Sequence, residues 1–417
     1  MEEEIIDSSF FSEELDDKLS VDVKKTGLEN TFNERQVGSI AMPIETVSSQ
    51  ASLDTALAMF EQQPDLAAIP IEKDDHVIGV IERETVEANT NTAFKRLVSK
   101  TCGDYVKECP FTINCSDFLE KVAARVNECA INIEIKHFVV LLNNRSFYGI
   151  MSVAKMNQQL EQLRTHDMSK AEAIQQNMLK KCSDTAGFPF NVCIWNRMAN
   201  PVGGDYYVAK EICKDIYAVG CFDVSGKNVS ASLLTVTLGS LFSMMTFKDP
   251  ARVNASKLVV MIDNFLKEIV PVGNFITGAL CYVDMKAKTV ELFNCGHTNV
   301  FAFLKDEGGK SRLATFKPSL PPFGMGAVSE AVSGSATKAG YRMPIIDGLQ
   351  IDLYSDGFTD MQSEEGVRYE ETRTKAFFGK LFETNLQDAA KEIEDTVNAW
   401  IQQTLLPDDI TVMNIRF

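Results

Sequence analysis

Basic residues are scarce in this chain of 417 residues: 41 Lys plus Arg stand against 58 Asp plus Glu, a formal net charge of −17. The attraction that draws proteins onto phosphate backbones or anionic membranes is missing overall, so neither nucleic acid nor a membrane is an expected partner. No run approaches the roughly 18 to 20 consecutive apolar residues that a membrane helix needs. The opening MEEEIIDSSF also lacks the basic-then-apolar order of a signal peptide. The expected location is cytoplasmic. Cys-x-x-Cys pairs are absent as well; the ten cysteines are scattered through apolar segments, which predicts buried free thiols rather than zinc or redox chemistry. Histidine occurs only at positions 76, 137, 166 and 297, too few and too dispersed for a His-built metal site. Any metal has to be held by oxygen.

With 45% apolar residues the chain can bury a sizeable core, and at roughly 100 to 200 residues per domain its length implies two or three domains. Residues 1–38 hold eleven acidic and four basic residues without sustained periodicity, which predicts a mostly disordered tail. From 39 to 155 one pattern occurs twice. Thr46-Val47, a helical spacing of Leu53, Leu57 and Phe60, then Ala68-Ile69-Pro70-Ile71 and Val77-Ile78-Gly79-Val80-Ile81 make the first copy. Thr112-Ile113, a helix with Leu119, Val122 and Val126, then the runs from Phe138 to Leu142 and from Phe147 to Met151 make the second. A repeated strand, helix, strand, strand should fold as a pseudo-symmetric pair.

This segment resembles the cystathionine-β-synthase tandem domain. The resemblance implies a sensory role, with an adenine nucleotide as the ligand to consider in the cleft between repeats. A Ser or Thr and an Asp usually follow the Gly of each second strand. Here Glu82 and Thr85 stand at those places in the first copy, Ser152 and Lys155 in the second, and the ribose-binding Asp is missing from both. Dimerisation or protein docking is the competing role. Between 152 and 181 apolar residues recur at Val153, Met156, Leu160 and Leu163, and again at Ala171, Ile174 and Met178, with no Pro or Gly, predicting one long helix. Residues 156–181 are its connecting part, and its stripe suits either pairing with a second copy or packing on its own domain. Gly187-Phe188-Pro189 opens the last domain, 182–417.

That domain carries four acidic positions, each at a sharp turn beside a strand-like run. They are Gly203-Gly204-Asp205, the apolar run from Tyr217 to Asp223-Val224-Ser225-Gly226, the alternating run from Leu349 to Ser355-Asp356-Gly357, and Pro407-Asp408-Asp409 before the terminal strand. Taken singly, each is an ordinary turn. Together, carboxylates at strand ends without His or Cys are the donor set of a hard cation such as Mg²⁺ or Mn²⁺. Without a cation the same carboxylates would repel one another and have raised pKa values.

The motifs Gly203-Gly204-Asp205-Tyr206, Asp223-Val224-Ser225-Gly226-Lys227, Cys295-Gly296-His297, Leu320-Pro321-Pro322-Phe323-Gly324, Tyr354-Ser355-Asp356-Gly357 and Asp408-Asp409-Ile410-Thr411 follow one another in this order. So arranged, over residues 170–417, the chain resembles the metal-dependent protein phosphatases of the 2C type, in the branch of stage II sporulation protein E and the sigma-factor regulators. Even the helix before them, with Ala173-Ile174-Gln175-Gln176 and Leu179, is similar to the segment that leads into such domains. The resemblance implies an α+β chain: a phosphatase 2C-like α/β sandwich of two antiparallel sheets flanked by helices, preceded by an α/β tandem-repeat sensory domain. It implies two Mn²⁺ or Mg²⁺ ions, with Asp223 bridging them, the Val224 carbonyl binding one, and Asp205, Asp356 and Asp408 completing the set. Asp409 belongs to the metal site in a supporting place.

The implied activity is hydrolysis of phosphoserine or phosphothreonine on a regulatory protein such as an anti-sigma-factor antagonist. The sensory domain would gate it, within a homodimer. The alternative is a catalytically silent module that sequesters a phosphorylated regulator. After Lys227 the chain departs from the family pattern, with Asn228 and Ser230-Ala231-Ser232 where a second Gly and paired alanines are usual. Asp360 stands where Glu is common. His297 could act as a catalytic acid or hold its turn together, and Lys227 could meet substrate phosphate or simply face solvent.

Overall fold

The computed structural model describes residues 20–21, 32–92, 95, 101–129, 136–142, 145–181, 183–226, 229–249, 253–306, 308–334 and 339–417. These form two compact units, Met1–Asp167 and Met168–Phe417.

In the first unit, short strands β1 (Ser20–Val21) and β2 (Phe32–Asn33) pair with each other, and β3 (Met42–Pro43) joins the second repeat. The first repeat consists of β4 (Val47–Ser48), helix α1 (Leu53–Gln62), β5 (Ala68–Lys73), β6 (His76–Glu82) and α2 (Arg83–Thr90). The second consists of β7 (Ile113–Asn114), α3 (Leu119–Cys129), β8 (His137–Leu141) and β9 (Phe147–Ser152). The two are built alike. In each the leading strand runs parallel to the next, Val47 opposite Ile71 and Ile113 opposite Val140. The hairpin that follows slips register at the same point, at Ile71/Glu72 and at Val140/Leu141. Ser52 caps α1 by accepting the Thr55 N–H, and Leu53, Ala56 and Phe60 form its buried face.

The expected tail is shorter than 1–38. Val37 is fully buried in the core of the second repeat, and Arg35 spends its charge inside the unit, on Glu120 at 2.6 Å and on Asp167. A single apolar anchor in a polar stretch gives no periodicity to read, so the sequence concealed it. The rest of the expected tail, 1–19 and 22–31, lies outside the described residues.

Helix α4 (Val153–Lys181) is one uninterrupted element. Met156, Leu160 and Leu163 are buried in the first unit's core, and Leu179 in a core of the second. Packing on its own domains therefore accounts for most of its stripe, while Ile174 is 59% exposed.

The second unit is a sandwich of two five-stranded antiparallel sheets. One has the order β11 (Asp205–Cys213), β12 (Ile216–Val224), β13 (Ile276–Asp284), β14 (Thr289–Cys295), β17 (Tyr341–Pro344). The other has the order β10 (Asn191–Arg197), β19 (Ile410–Arg416), β18 (Gln350–Tyr354), β15 (Val300–Lys305), β16 (Ser311–Phe316). Their inner faces share a core that includes Val219, Cys221, Cys281, Ile351, Leu353 and Met413. The outer faces are covered by helices α5 (Val229–Met244) and α6 (Ala255–Lys267) on Tyr206, Phe222 and Leu280. Helices α9 (Glu370–Glu383) and α10 (Leu386–Ile401) cover Phe301, Tyr354 and Val412 on the other side. Alternate residues point to opposite faces, and both faces are covered. That is why strands such as Ile216–Val224 read as nearly continuous apolar runs. Among the described residues nine cysteines are free thiols, six buried and three half-buried. Among the described residues no helix is long and apolar enough to cross a membrane.

A polar cluster is buried on the outer, helix-covered face of the second sheet, the face opposite to Ile351, Leu353 and Met413. Asp352 is fully buried and accepts hydrogen bonds from Gln350 Nε2 at 2.8 Å and Asn414 Nδ2 at 2.5 Å. Burial outweighs these donors and lifts its pKa to about 7. The folded state therefore holds a proton on Asp352 that the unfolded chain releases near pH 3.8. The stability this contributes is complete below that value and is lost as pH rises through 7, at up to about 1.4 kcal/mol per pH unit. Urea unfolding of wild type and Asp352→Asn between pH 4 and 8 should show this decline in the wild type and a flatter profile in the variant.

Candidate active site

The ladder between β11 and β12 fixes the centre of the site, because its register sets Asp205 directly opposite Asp223. The entry to β11 is too tight for side chains. A Cβ on Gly203 would lie 2.2 Å from Asp409 Oδ2 and 2.3 Å from Met198 Sδ, and one on Gly204 would lie 2.9 Å from the Val224 carbonyl. The other sheet delivers its acidic residues from the ends of two adjacent strands. Asp356 follows β18 at the start of the short helix α8 (Gly357–Asp360), and Asp408 and Asp409 precede β19. Gly357 is required for that approach, since a Cβ there would lie 2.0 Å from the Asp409 carbonyl.

The carboxylates differ in surroundings. Asp205 is 2% exposed, and its Oδ2 accepts hydrogen bonds from Ser355 Oγ at 2.7 Å and Thr411 Oγ1 at 2.6 Å. Burial, and then the charge of Asp223, hold its carboxyl well above the usual range. Asp223 and Asp408 are half-buried and Asp356 is exposed. Asp205, Asp223 and Asp356 are close enough together that all three add to burial in pushing up the Cys221 thiol. Asp409 uses both oxygens on backbone, accepting the N–H of Ala199 and of Gly204, each at 2.7 Å. It braces the glycine turn, and its expected place in the metal site is that of a support rather than a ligand.

Among the described residues, no three His, Cys, Asp or Glu side chains converge closely enough to enclose an ion by themselves. A small hard cation does not require that, because Mg²⁺ keeps several waters and takes only one or two carboxylates. The donors are all oxygen, and a cation held by Asp205 and Asp223 would offset the like charge that adds to burial in raising the Asp205 pKa. The residues present fit a water-rich divalent ion.

Residues 214–417 match the family model described as stage II sporulation protein E (SpoIIE). The second unit is a SpoIIE-type phosphatase domain. Such a domain is a metal-dependent protein serine/threonine phosphatase of the PP2C kind. The SiaA-PP2C domain of Pseudomonas aeruginosa shares the fold, with a TM-score of 0.51 at 18% identity over 62% of this chain and 98% of that one. The PP2C domain of SpoIIE from Bacillus subtilis, solved with a fragment of its regulatory domain, overlays with a TM-score of 0.40 at 16% identity over 54% of this chain and 64% of that one. A structure of CBSX2 in complex with AMP overlays with a TM-score of 0.25 at 20% identity, covering 31% of this chain and 98% of that one. No curated protein matches the sequence.

His297 of the SpoIIE-type domain is 4% exposed; its Nδ1 lies 2.9 Å from Thr277 Oγ1, and its backbone N–H binds Asn294 Oδ1. Burial lowers its pKa to about 4. At neutral pH it has no imidazolium proton to give, and it holds the turn after β14. Lys227 and Asn228 lie outside the described residues. Asp360 pairs with Arg368 at 3.4 Å. Sequence reading assigned no role to Gln175, Ser355 or the Thr411 hydroxyl. The last two sit inside motifs already singled out, one position before Asp356 and two after Asp409. In the first unit Glu82 is 5% exposed and tied to Lys107 at 2.8 Å, so the place where a nucleotide-binding repeat carries a hydroxyl holds a paired carboxylate.

Gly203→Ala tests the brace. The added methyl must displace Asp409 or Met198, which should destabilise the fold by about 1–3 kcal/mol. It should also lower Mn²⁺-dependent phosphatase turnover by more than the loss of folded protein explains. Urea unfolding and turnover per folded molecule check the two effects.

Proposed function

We propose that this phosphatase removes phosphate from phosphoserine or phosphothreonine of a small regulatory protein, an anti-sigma-factor antagonist or a relative of one, in a signalling pathway that its first unit controls. The observation that carries the reaction is the buried Asp205 carboxyl facing Asp223 across a strand pair, with Asp356 beside them. Asp205, Asp223, Asp356, Asp408 and the Val224 carbonyl would be the groups that hold the two Mn²⁺ or Mg²⁺ ions. When bound, such ions supply a nucleophilic water at neutral pH and positive charge for the phosphoryl oxygens. The chain's own residues supply position. Asp409 and the two glycines fix the β11 turn, and the buried side of the site keeps Asp205 away from bulk water.

Control through α4 is supported by Gln175, which is 2% exposed. Its Nε2 donates to the Gly203 carbonyl at 2.8 Å and to Thr235 Oγ1 on α5 at 2.6 Å, while its Oε1 accepts the Gly203 N–H at 3.1 Å. A movement of the helix would therefore be felt at the glycine turn that positions Asp205. An adenine nucleotide is the candidate ligand of the first unit, and pairing through exposed Ile174 is the candidate route to a homodimer. Free thiols fit a reducing, cytoplasmic setting.

Phosphate release from p-nitrophenyl phosphate and from a phosphoserine peptide, with Mn²⁺, Mg²⁺ or chelator, tests the reaction. Turnover should require metal and fall below about 1% of wild type in Asp223→Asn, the scale of loss when a group acting on the transition state is removed. Metal-independent turnover would exclude the mechanism. Gln175→Leu should change turnover of the full chain severalfold without unfolding it, and unchanged turnover would exclude control by this contact.

A further inference from the structure

Two hydroxyls meet at Asp205, and the surrounding hydrogen bonds determine which way their protons point. Asn196 on β10 lies opposite Thr411 on β19. Its side-chain Nδ2 is 3.2 Å from the Ile410 carbonyl and 2.9 Å from Thr411 Oγ1. A carbonyl can only accept, so the Asn196 amide must present its NH₂ group there. Thr411 Oγ1 thus receives a proton from Asn196, and its own proton is left to point at Asp205 Oδ2, 2.6 Å away. Ser355 is governed in the same way: its Oγ accepts the Thr411 backbone N–H at 2.9 Å. Its single proton has two acceptors in reach, Asp205 Oδ2 at 2.7 Å and the Asp409 carbonyl at 3.3 Å. The carboxylate is the shorter and, being charged, the stronger acceptor. Ser355 and Thr411 are both fully buried, so no water can reorient them.

We infer that Ser355 and Thr411, with Asn196 behind Thr411, are positioning residues that aim two hydroxyl protons at Asp205 Oδ2 and so hold this carboxylate ready to ligate a divalent cation. The inference rests on the metal reading of the proposed function and extends it to residues that no ligand touches. Two donated protons on Oδ2 satisfy that oxygen, fix the plane of the carboxylate, and leave Oδ1 as the oxygen not engaged by the hydroxyls. Outer partners of this kind typically alter metal affinity by about 10–100-fold when removed.

The experiment is a Mn²⁺ titration of the full chain at fixed pH, following free Mn²⁺ by electron paramagnetic resonance, with no turnover required. Thr411→Val keeps the shape and removes the hydroxyl; Thr411→Ser keeps the hydroxyl and removes the methyl. Thr411→Val should bind Mn²⁺ at least about tenfold more weakly, Ser355→Ala should weaken it in the same direction, and Thr411→Ser should stay near wild type. Thermal melts in chelator report folding separately from binding. Wild-type affinity in Thr411→Val, or equal losses in Thr411→Ser and Thr411→Val, would overturn the assignment, because the second pattern is that of packing alone. A wild-type chain that takes up no Mn²⁺ would overturn the metal reading itself, a result visible without any variant.

Discussion

The constraint on which this molecule turns is the placement of two carboxylates opposite each other on paired strands. At the roughly 5 Å typical of such partners and an effective dielectric near 20, two full charges repel by about 3 kcal/mol before screening by solvent. Asp205 is buried, so it cannot escape by hydration, and its raised pKa records the conflict. A fold relieves such a conflict by replacing one residue or by bringing opposite charge or donors to it. The second unit brings donors: two hydroxyls reach Asp205, and two backbone N–H groups reach Asp409 next to it. The remaining repulsion is what a divalent cation would turn into attraction.

The sandwich is suited to this arrangement because its two sheets end at the same place. Asp205 opens β11 and Asp223 lies near the end of its neighbour β12 in one sheet, while Asp356 follows β18 and Asp408 precedes the adjacent β19 in the other. The shared apolar core between the inner faces sets the distance between the sheets, so packing far from the site controls the spacing of the carboxylates within it. The glycines are the local price of that convergence. At Gly203, Gly204 and Gly357 a Cβ would fall between 2.0 and 2.9 Å from an atom of the opposing segment. Here the acidic turns must touch.

Much of this was legible in the sequence. Period-two and period-3.6 patterns located the repeat, the connecting helix and the strands that carry the acidic turns, and four Asp beside sharp turns indicated oxygen chemistry. The illegible parts share a physical cause. Val37 and Arg35 make contacts with residues about 80 to 130 positions away, which no local pattern encodes. Thr411 matters through the direction of its proton, which depends on Asn196 from a strand more than 200 residues earlier, and Ser355 through one set by the Thr411 backbone N–H. The support role of Asp409 likewise becomes visible only when both its oxygens are seen on backbone N–H groups. Spacing reveals which residues share a turn, and long-range hydrogen bonds decide which of them remain available to a ligand.

The same reasoning bears on how a signal could reach the site. Gln175 is connected at three points, two on Gly203 and one on Thr235, through a single rigid amide. Next to it, Met178 packs so closely on Gly239 of α5 that a Cβ there would lie 2.1 Å from Met178 Cγ. Close packing of this sort does not deform gradually. A helix held by one amide, one tight side-chain contact and the buried Leu179 either occupies that position, with all the bonds made, or leaves it and loses them together. Gly203 is also where Asp409 braces the turn. Loss of Gln175 would therefore act on the same few atoms that fix Asp205, and a helix shift of about one ångström would be enough to disengage hydrogen bonds that weaken steeply with distance and angle.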